Sequence, residues 1–173
     1  RLLVRAYSGL EGFPKPAEQP EYYAMLANVE SFLGKPATRI LVAVAGDGAL
    51  AGGVVYFGDM THYGSGGLAT RVRMASGIRF LGVDPSLRER GVGKALVKAC
   101  IELARKQGQR QVILHTTQAM PVARGMYERL GFMRSANLGF GLLGIYVFGL
   151  KLNLERDTIC KRQETCCGTT CIA

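Results

Sequence analysis

The sequence predicts a single-domain α/β fold with a mixed, mostly antiparallel sheet flanked by helices. Three observations lead to this prediction: two strand-like runs joined through Gly46-Asp47-Gly48, a strand–helix–strand unit downstream of them, and a composition that suits one core. Of the 173 residues, 48% are hydrophobic and 20% are charged, which is enough apolar material for one domain. The predicted element order is β-α-β-β-β-α-β-α-β-β.

The first two elements are predicted to be a short strand and a helix. Leu2 to Tyr7 has a strand-like apolar pattern, and the glycines and prolines that follow argue against an early helix. From Glu21 onward, apolar side chains recur at helical spacing until Gly34 and Pro36 end the pattern. We therefore expect a helix that begins near Glu21 and lies over the sheet.

The next elements are predicted to be a hairpin and a long connection. The hairpin consists of Arg39 to Ala45 and Leu50 to Phe57, and its turn residues tolerate positive φ angles. From Gly58 to Gly77 no period is sustained, so we interpret this segment as a loop over the sheet edge. Three of its side chains suit either contact with a bound molecule or a solvated turn: Asp59, His62 and Tyr63.

The second half of the chain alternates strands and helices. Gly77 to Val83 is an apolar strand, and Asp84-Pro85-Ser86 separates it from a helix that ends at Gly108. The buried stripe of this helix is predicted to be Val92, Leu96, Ala99, Cys100 and Leu103. The remaining predicted elements are the strand Gln111 to Thr117, the helix Pro121 to Leu130 capped by Gly131, and the strands Phe132 to Arg134 and Tyr146 to Leu152.

The end of the chain differs in character from the rest. Residues 1–152 are predicted to form the domain, and residues 153–173 a tail that contains Cys160, Cys166, Cys167 and Cys171. The spacing of these cysteines lacks two separated Cys-x-x-Cys pairs and includes no histidine, so the sequence favours no metal site. In a reducing cytosol the thiols are expected to be free, and their role and redox state stay open.

The hydropathy pattern contains no membrane signal. No stretch approaches the roughly 20 consecutive apolar residues that a membrane helix needs, and the opening residues lack the apolar run of a secretory signal. These patterns predict a soluble, cytoplasmic protein with no membrane partner. Because the chain begins with Arg1 rather than Met, a leader ahead of it would not be visible.

The net charge of +9 is concentrated in one segment. Between Arg88 and Arg110, seven basic side chains accompany two acidic ones, so this helix-sized stretch has a surplus of five positive charges. Such a segment should attract a polyanion. Nucleic acid is disfavoured as that polyanion, because no aromatic platform is interleaved with the basic residues and half of the helix is expected to face a core.

A glycine-bearing turn leads from the strand that ends at Val83 into the basic helix. At a helix start the first N–H groups lack internal partners and the macrodipole is positive, so an anionic phosphate fits there. A Walker P-loop would need Gly at Arg88 and Ser or Thr at Ala95. A dinucleotide fingerprint would need a small residue at Leu96 and a βαβ unit at the start of the chain. Both motifs are therefore disfavoured.

The pattern Arg88-x-x-Gly91-x-Gly93 resembles motif A of the GNAT acyltransferases, whose form is Gln or Arg, two residues, Gly, one residue, and Gly or Ala. Downstream, Met126-Tyr127-Glu128-Arg129-Leu130-Gly131-Phe132 is similar to the second signature of that family, and the resemblance extends from Leu2 to Leu152. It implies an N-acetyltransferase that takes acetyl-CoA as co-substrate, needs no metal, and acts on an amine-bearing acceptor.

The resemblance also implies a CoA site. Leu81 to Val83 would offer backbone groups to the pantetheine arm, where Gly82 suits a close approach, and the amides of Arg90 to Ala95 would hold the diphosphate. The complete set of implied CoA-binding residues is Leu81, Gly82, Val83, Arg88, Glu89, Arg90, Gly91, Val92, Gly93, Lys94 and Ala95.

Tyr127 matches the family tyrosine beside the CoA sulfur, whose hydroxyl can protonate the leaving thiolate, although an aromatic packing role would also fit. The family often has Asn seven residues earlier, where this chain has Met120. The general base is either His115 or a chain of water molecules.

Neither the charge nor the motifs identify the acceptor, and the sequence does not decide between a monomer and a homodimer. The alternative function is a non-catalytic acyl-CoA sensor.

Overall fold

The computed structural model describes residues 1–142 and 144–154, so the four cysteines of the tail lie outside the described residues. The described helices are α1 (Leu2–Ser8), α2 (Pro20–Ala27), α3 (Val92–Lys106) and α4 (Pro121–Arg129). The described strands are β1 (Thr38–Val44), β2 (Leu50–Phe57), β3 (Ala75–Val83), β4 (Gln111–Thr117), β5 (Met133–Arg134), β6 (Phe140–Leu142) and β7 (Ile145–Asn153). Within these ranges no helix has the length and apolar character to cross a bilayer.

The described strands form one sheet in the order β1-β2-β3-β4-β7-β5, and β6 pairs with the start of β7. Their pairings are antiparallel except that of β3 with β4. The parallel pair arises because the crossover through α3 returns the chain in the same direction, as a parallel connection requires. The mixed, mostly antiparallel sheet with flanking helices is therefore confirmed.

Helices cover both faces of the sheet. Alternation along β2 directs Val54 and Tyr56 to one face and Val55 and Phe57 to the other. The face of Val54 packs against the buried side chains of α3 and α4, and the face of Val55 packs against those of α1 and α2. The domain therefore has two apolar layers separated by the sheet.

The predicted N-terminal strand is wrong, because Leu2–Ser8 forms the helix α1. Its buried residues Leu3, Ala6 and Tyr7 follow helical spacing, and α1 lies against β3. So short an apolar run satisfies the strand and the helix patterns equally well. Packing of this segment on the sheet favours the helix, and the local sequence pattern carries no information about that packing.

The other predicted elements are present with shifted bounds. The helix expected near Glu21 is α2, which ends before Asn28 and is followed by the 3-10 helix Val29–Gly34. Strand β6 was not predicted, because so short a strand gives no alternating pattern. The buried residues of α3 are Leu96, Val97, Cys100, Ile101 and Ala104. The predicted Val92, Ala99 and Leu103 lie half-buried at the border, since α3 contacts both β2 and β3 and buries a wider face than expected.

Replacing Gly149 with alanine should destabilise the fold. A Cβ there would overlap Leu138 Cβ and lie 2.6 Å from the Leu138 carbonyl carbon, and backbone atoms cannot move aside cheaply. Overpacking of this kind costs about 1–3 kcal/mol. Urea denaturation should show a lower midpoint for Gly149→Ala, whereas Gly46→Ala, whose Cβ would meet nothing within 4 Å, should stay near wild type. Equal midpoints for the two variants would contradict this packing.

Candidate active site

The site begins where β3 and β4 separate. The two strands pair only from Ala75 to Ile78 and from Gln111 to Leu114, although both strands continue beyond these residues. A bulge in β3 accompanies the separation: Gly53 of β2 pairs with Gly82 and Val55 pairs with Arg79, so two β3 residues lie opposite one β2 residue. From Arg79 to Val83, the edge of β3 that faces β4 therefore has no strand partner in the described chain.

Two cavities flank this separation. The first, of about 560 Å³, lies at the start of α3 and is called the helix cavity. The second, of about 590 Å³, is walled largely by tyrosine and phenylalanine side chains and is called the aromatic cavity. Both are lined by Tyr7, Leu81, Met120 and Ala123. A ligand that follows β3 could therefore reach from one cavity into the other.

The helix cavity has the properties of an anion site. The first α-helical bond of α3 runs from the Ala95 amide to the Gly91 carbonyl at 3.0 Å, and no side chain caps the amides before it. Gly91 has a φ of 81°, which turns the chain into the helix without a side chain over the opening. Free amides and the positive end of a 15-residue helix together favour a phosphate.

The charged side chains around the helix cavity agree with that preference. Arg88, Lys94 and Arg129 line it together with one acidic residue, Glu89. The excess of positive charge raises the local concentration of a polyanion. The Arg88 guanidinium is partly committed elsewhere, since its Nη2 donates a hydrogen bond to the Ala6 carbonyl at 3.1 Å.

Most of the predicted CoA-binding residues line the helix cavity: Leu81, Gly82, Val83, Arg88, Glu89, Gly91, Val92, Gly93 and Lys94. Arg90 and Ala95 do not line it, although the sequence predicted both. The Ala95 amide is used within α3, so the amides that remain free of helical bonding are those of Val92, Gly93 and Lys94. The amide set from Arg90 to Ala95 stays a prediction, and within it the Ala95 amide already donates to the Gly91 carbonyl.

Gly82 has a second structural role that the sequence did not indicate. A Cβ at this position would lie 2.5 Å from Leu3 Cδ2 and 3.4 Å from Ala6 Cβ, so the missing side chain leaves room for α1. Arg5 of α1 also pairs with Asp84 at 3.3 Å. These contacts, with the bond from Arg88 to Ala6, fasten α1 across the end of β3 beside the helix cavity.

Tyr127 projects from α4 and lines the aromatic cavity. Its ring packs edge-on against Phe132, with 5.9 Å between the centroids. Burial is the main cause that raises the pKa of Tyr127, so the hydroxyl keeps its proton at neutral pH. Within the described residues the hydroxyl has no hydrogen-bond partner. Packing alone would not require a hydroxyl at this position.

His115 is held in one tautomer near the end of β4. Its Nε2 is 2.8 Å from the Leu138 carbonyl, which can only accept, so Nε2 carries the proton and Nδ1 accepts. Nδ1 lies 2.9 Å from the Tyr63 hydroxyl and 3.2 Å from that of Ser65. Burial lowers the pKa of His115, which keeps the ring neutral. Both ring nitrogens are thus occupied by protein groups.

Several residues of the aromatic cavity were not predicted. Tyr63 was considered only as a loop residue, yet it is fully buried and hydrogen-bonded to His115. Tyr7 and Arg79 were not predicted as site residues, although both line the cavity.

Asp59 caps the 3-10 helix Met60–His62 by accepting from the Thr61 amide at 2.9 Å. The described ranges contain no cluster of three or more His, Cys, Asp or Glu side chains that could hold a metal ion.

Comparison with known proteins identifies the family to which this fold belongs. The family described as "Acetyltransferase (GNAT) family" matches residues 4–132, which is most of the chain. The chain therefore belongs to the GNAT acetyltransferase family, and the resemblance inferred from its motifs is confirmed.

Individual relatives are similar over different lengths. Human N-acetyltransferase 8B is 38% identical over 60 residues, which cover 35% of this chain and 26% of that protein. The chain thus matches only about a quarter of that relative's length. A Bacillus subtilis acetyltransferase solved in complex with CoA is 25% identical with a TM-score of 0.54, and the match covers 73% of this chain and 82% of that one. A GNAT-family acetyltransferase from Staphylococcus aureus is 17% identical with a TM-score of 0.63, covers 89% of both chains, and supports the fold alone.

The free energy of unfolding should fall as the pH drops from about 7 to 5, because of His115. Its folded-state pKa lies below the usual value of about 6.5, so the unfolded chain binds a proton that the folded protein resists. The slope can reach about 1.4 kcal/mol per pH unit. Urea titrations across this range should show that His115→Gln removes that part of the slope.

His62→Gln is the matched control, since the chain contains two histidines. This variant should retain the wild-type slope. Hydrogen bonds from Thr61 and Ser86 lower the pKa values of Asp59 and Asp84. These two carboxylates therefore affect stability only at more acidic pH, and they do so equally in the wild type and both variants. A slope unchanged in His115→Gln would mean that the imidazole is not buried in its neutral form.

Proposed function

We propose that this protein is an N-acetyltransferase that transfers the acetyl group of acetyl-CoA to the amine of an acceptor by direct attack on the thioester. One observation carries the proposal: the helix cavity, which suits a diphosphate, adjoins the aromatic cavity, which contains Tyr127, beside the unpaired edge of β3. The CoA bound to the related Bacillus subtilis acetyltransferase supports it.

The helix cavity would hold the diphosphate of CoA. The amides of Val92, Gly93 and Lys94 supply donors without helical partners, and the side chains of Lys94 and Arg129 add positive charge. The pantetheine arm would follow β3 from Val83 toward Arg79, because an extended chain with amide groups can pair with a free strand edge. Met120 offers no hydrogen bond to the arm where the family often has Asn.

Acetyl-CoA would supply an activated acetyl group, so that a carbon–nitrogen bond to the amine forms and the carbon–sulfur bond breaks. The backbone N–H groups on the free edge of β3 would stabilise the negative charge that develops on the carbonyl oxygen. The Tyr127 hydroxyl would give its proton to the departing sulfur and regain one from solvent. The raised pKa of Tyr127 fits a group that must stay protonated until that step.

The proton of the amine needs a different acceptor. His115 is neutral, but its Nδ1 accepts from protein hydroxyls and its Nε2 donates to the Leu138 carbonyl. We therefore assign proton removal to water and treat His115 as a residue that positions Tyr63 and Ser65. The cytoplasmic location, the absence of nucleic-acid and membrane partners, and the homodimer stay predictions from the sequence.

Gly93→Asp should weaken CoA binding without harming the fold. A Cβ at Gly93 would lie 3.5 Å or more from its neighbours, and an acidic residue in the first helical turn is favourable by about 0.3–1 kcal/mol. The same carboxylate would repel the diphosphate, so titration calorimetry should show CoA affinity reduced at least about tenfold. Gly34→Asp, at an open position near the opposite end of the sheet, should bind CoA normally. Equal affinity in both variants would remove the assigned diphosphate site.

Tyr127→Phe should separate an enzyme from a non-catalytic acyl-CoA sensor. Loss of the hydroxyl should reduce kcat by about 10²–10⁴-fold, which is the usual contribution of a general acid. CoA affinity should change little, because the diphosphate and pantetheine contacts lie elsewhere. Thiol release from acetyl-CoA with a panel of amines measures the first quantity, and calorimetry the second. Unchanged kcat would exclude Tyr127 as the acid, and wild-type protein that binds CoA but turns over no amine would favour the sensor.

A further inference from the structure

The aromatic cavity has an unusual charge composition. Among its described lining residues, Arg79 is the one that carries a full charge, and no carboxylate lines the cavity. The remaining polar residues are neutral, including His115, whose pKa is lowered by burial. A ligand that enters this cavity therefore meets one positive charge and several aromatic rings.

Arg79 is held in place by neutral groups. Its Nη1 donates to the carbonyls of Tyr63 and Gly64 at 2.6 and 2.8 Å, and its guanidinium lies over the Phe80 ring at 4.4 Å. The described residues provide no ion-pair partner for it. Nε and Nη2 are thus left with donor capacity that the described chain does not use, since the two bonds engage Nη1 alone.

The charge of Arg79 acts on the groups around the cavity. Burial raises the pKa of Tyr22 to about 12, and the Arg79 charge opposes that rise. Burial lowers the pKa of His115, and Arg79 lowers it further. A cation with this influence would also disfavour the protonated form of an acceptor amine, and the attacking amine must be neutral. Acceptors with several positive charges would be repelled.

We propose that the acceptor is an amino carboxylate with an apolar or aromatic body, and that Arg79 determines this specificity by binding its carboxylate. The half-buried guanidinium of Arg79 has unused N–H donors, and an anion would compensate its charge most strongly. A planar carboxylate can accept two parallel hydrogen bonds from a guanidinium. The aromatic walls suit an apolar body more than a sugar or a polyamine. This inference rests on the acetyltransferase function proposed above.

The test compares acceptors with and without a carboxylate, and it includes a polyamine. Phenylalanine, phenylalanine amide, phenethylamine and spermidine are assayed for kcat/KM by thiol release with wild-type protein and Arg79→Gln. Hydrogen bonds to charged groups contribute about 1.5–3 kcal/mol, so the wild type should prefer phenylalanine to its amide by at least about tenfold. Arg79→Gln should lose that preference, so its kcat/KM should fall much more with phenylalanine than with the amide. A role in the fold alone would lower all rates together.

Two further variants separate the effect of the Arg79 guanidinium from that of positive charge in general. Arg79→Lys keeps the charge without the fork and should retain part of the preference. Arg39→Gln removes an exposed charge outside the cavity and should behave as wild type. The inference is overturned if the wild type turns over phenethylamine or spermidine as well as phenylalanine, or if Arg79→Gln keeps the wild-type preference.

A binding measurement keeps the inference separate from the proposed function. Thermal-shift titration with 3-phenylpropanoate, an anion without an amine, should stabilise the wild type but not Arg79→Gln, whereas phenethylammonium should stabilise neither. Failure of the wild type to bind CoA would refute the acetyltransferase proposal and this inference with it. Binding of CoA with no preference for the anion over phenethylammonium would refute the inference alone.

Discussion

The separation of β3 from β4 is the constraint on which the rest of the site depends. A continuous sheet would satisfy every backbone group between two apolar layers and would leave no passage across it. Here the bulge in β3 and the end of pairing after Ile78 and Leu114 open the sheet, while β2 and β7 hold the outer edges of the two strands. The unpaired edge of β3 is thus supported from behind by β2, and its backbone groups are available to a hydrogen-bonding partner.

The two cavities beside this opening differ in what determines their chemistry. On the helix side, the backbone amides at the start of α3 provide the positive potential, and side chains contribute around the rim. On the aromatic side, burial sets the chemistry, since it keeps Tyr127 protonated and His115 neutral. The two proposed anion sites therefore differ in kind, since one is built from amides and the other from a single guanidinium. Leu81 lies between them.

The sequence predicted the sheet from local patterns such as the alternation in Leu50 to Phe57. It also pointed to the glycine-bearing turn before the basic helix and to Tyr127 in a motif of adjacent residues, and the roles of these residues stay predictions. It did not predict α1 or the role of Gly82, because Leu3 and Gly82 meet only after the chain has folded. Arg79 was missed for the same reason, since it lies in an unremarkable local context and its carbonyl partners come from another part of the chain. Tyr63 was named as a loop residue that could contact a bound molecule, but its burial and its hydrogen bond to His115 were not predicted.

The contacts of α1 with β3 and with Arg88 affect how well the protein tolerates truncation at its N-terminal end. This helix contributes Tyr7 to the walls of both cavities, and it is fixed by Arg88, the first residue of the phosphate-binding turn. Shortening the chain past α1 would remove no strand, but it would expose β3 and the apolar layer that Leu3, Ala6 and Tyr7 help to form. Both cavities would lose the wall that Tyr7 provides. Under the proposed function, water could then reach the thioester and compete with the acceptor, so the preference for transfer over hydrolysis would depend on a helix that contains none of the proposed reacting groups.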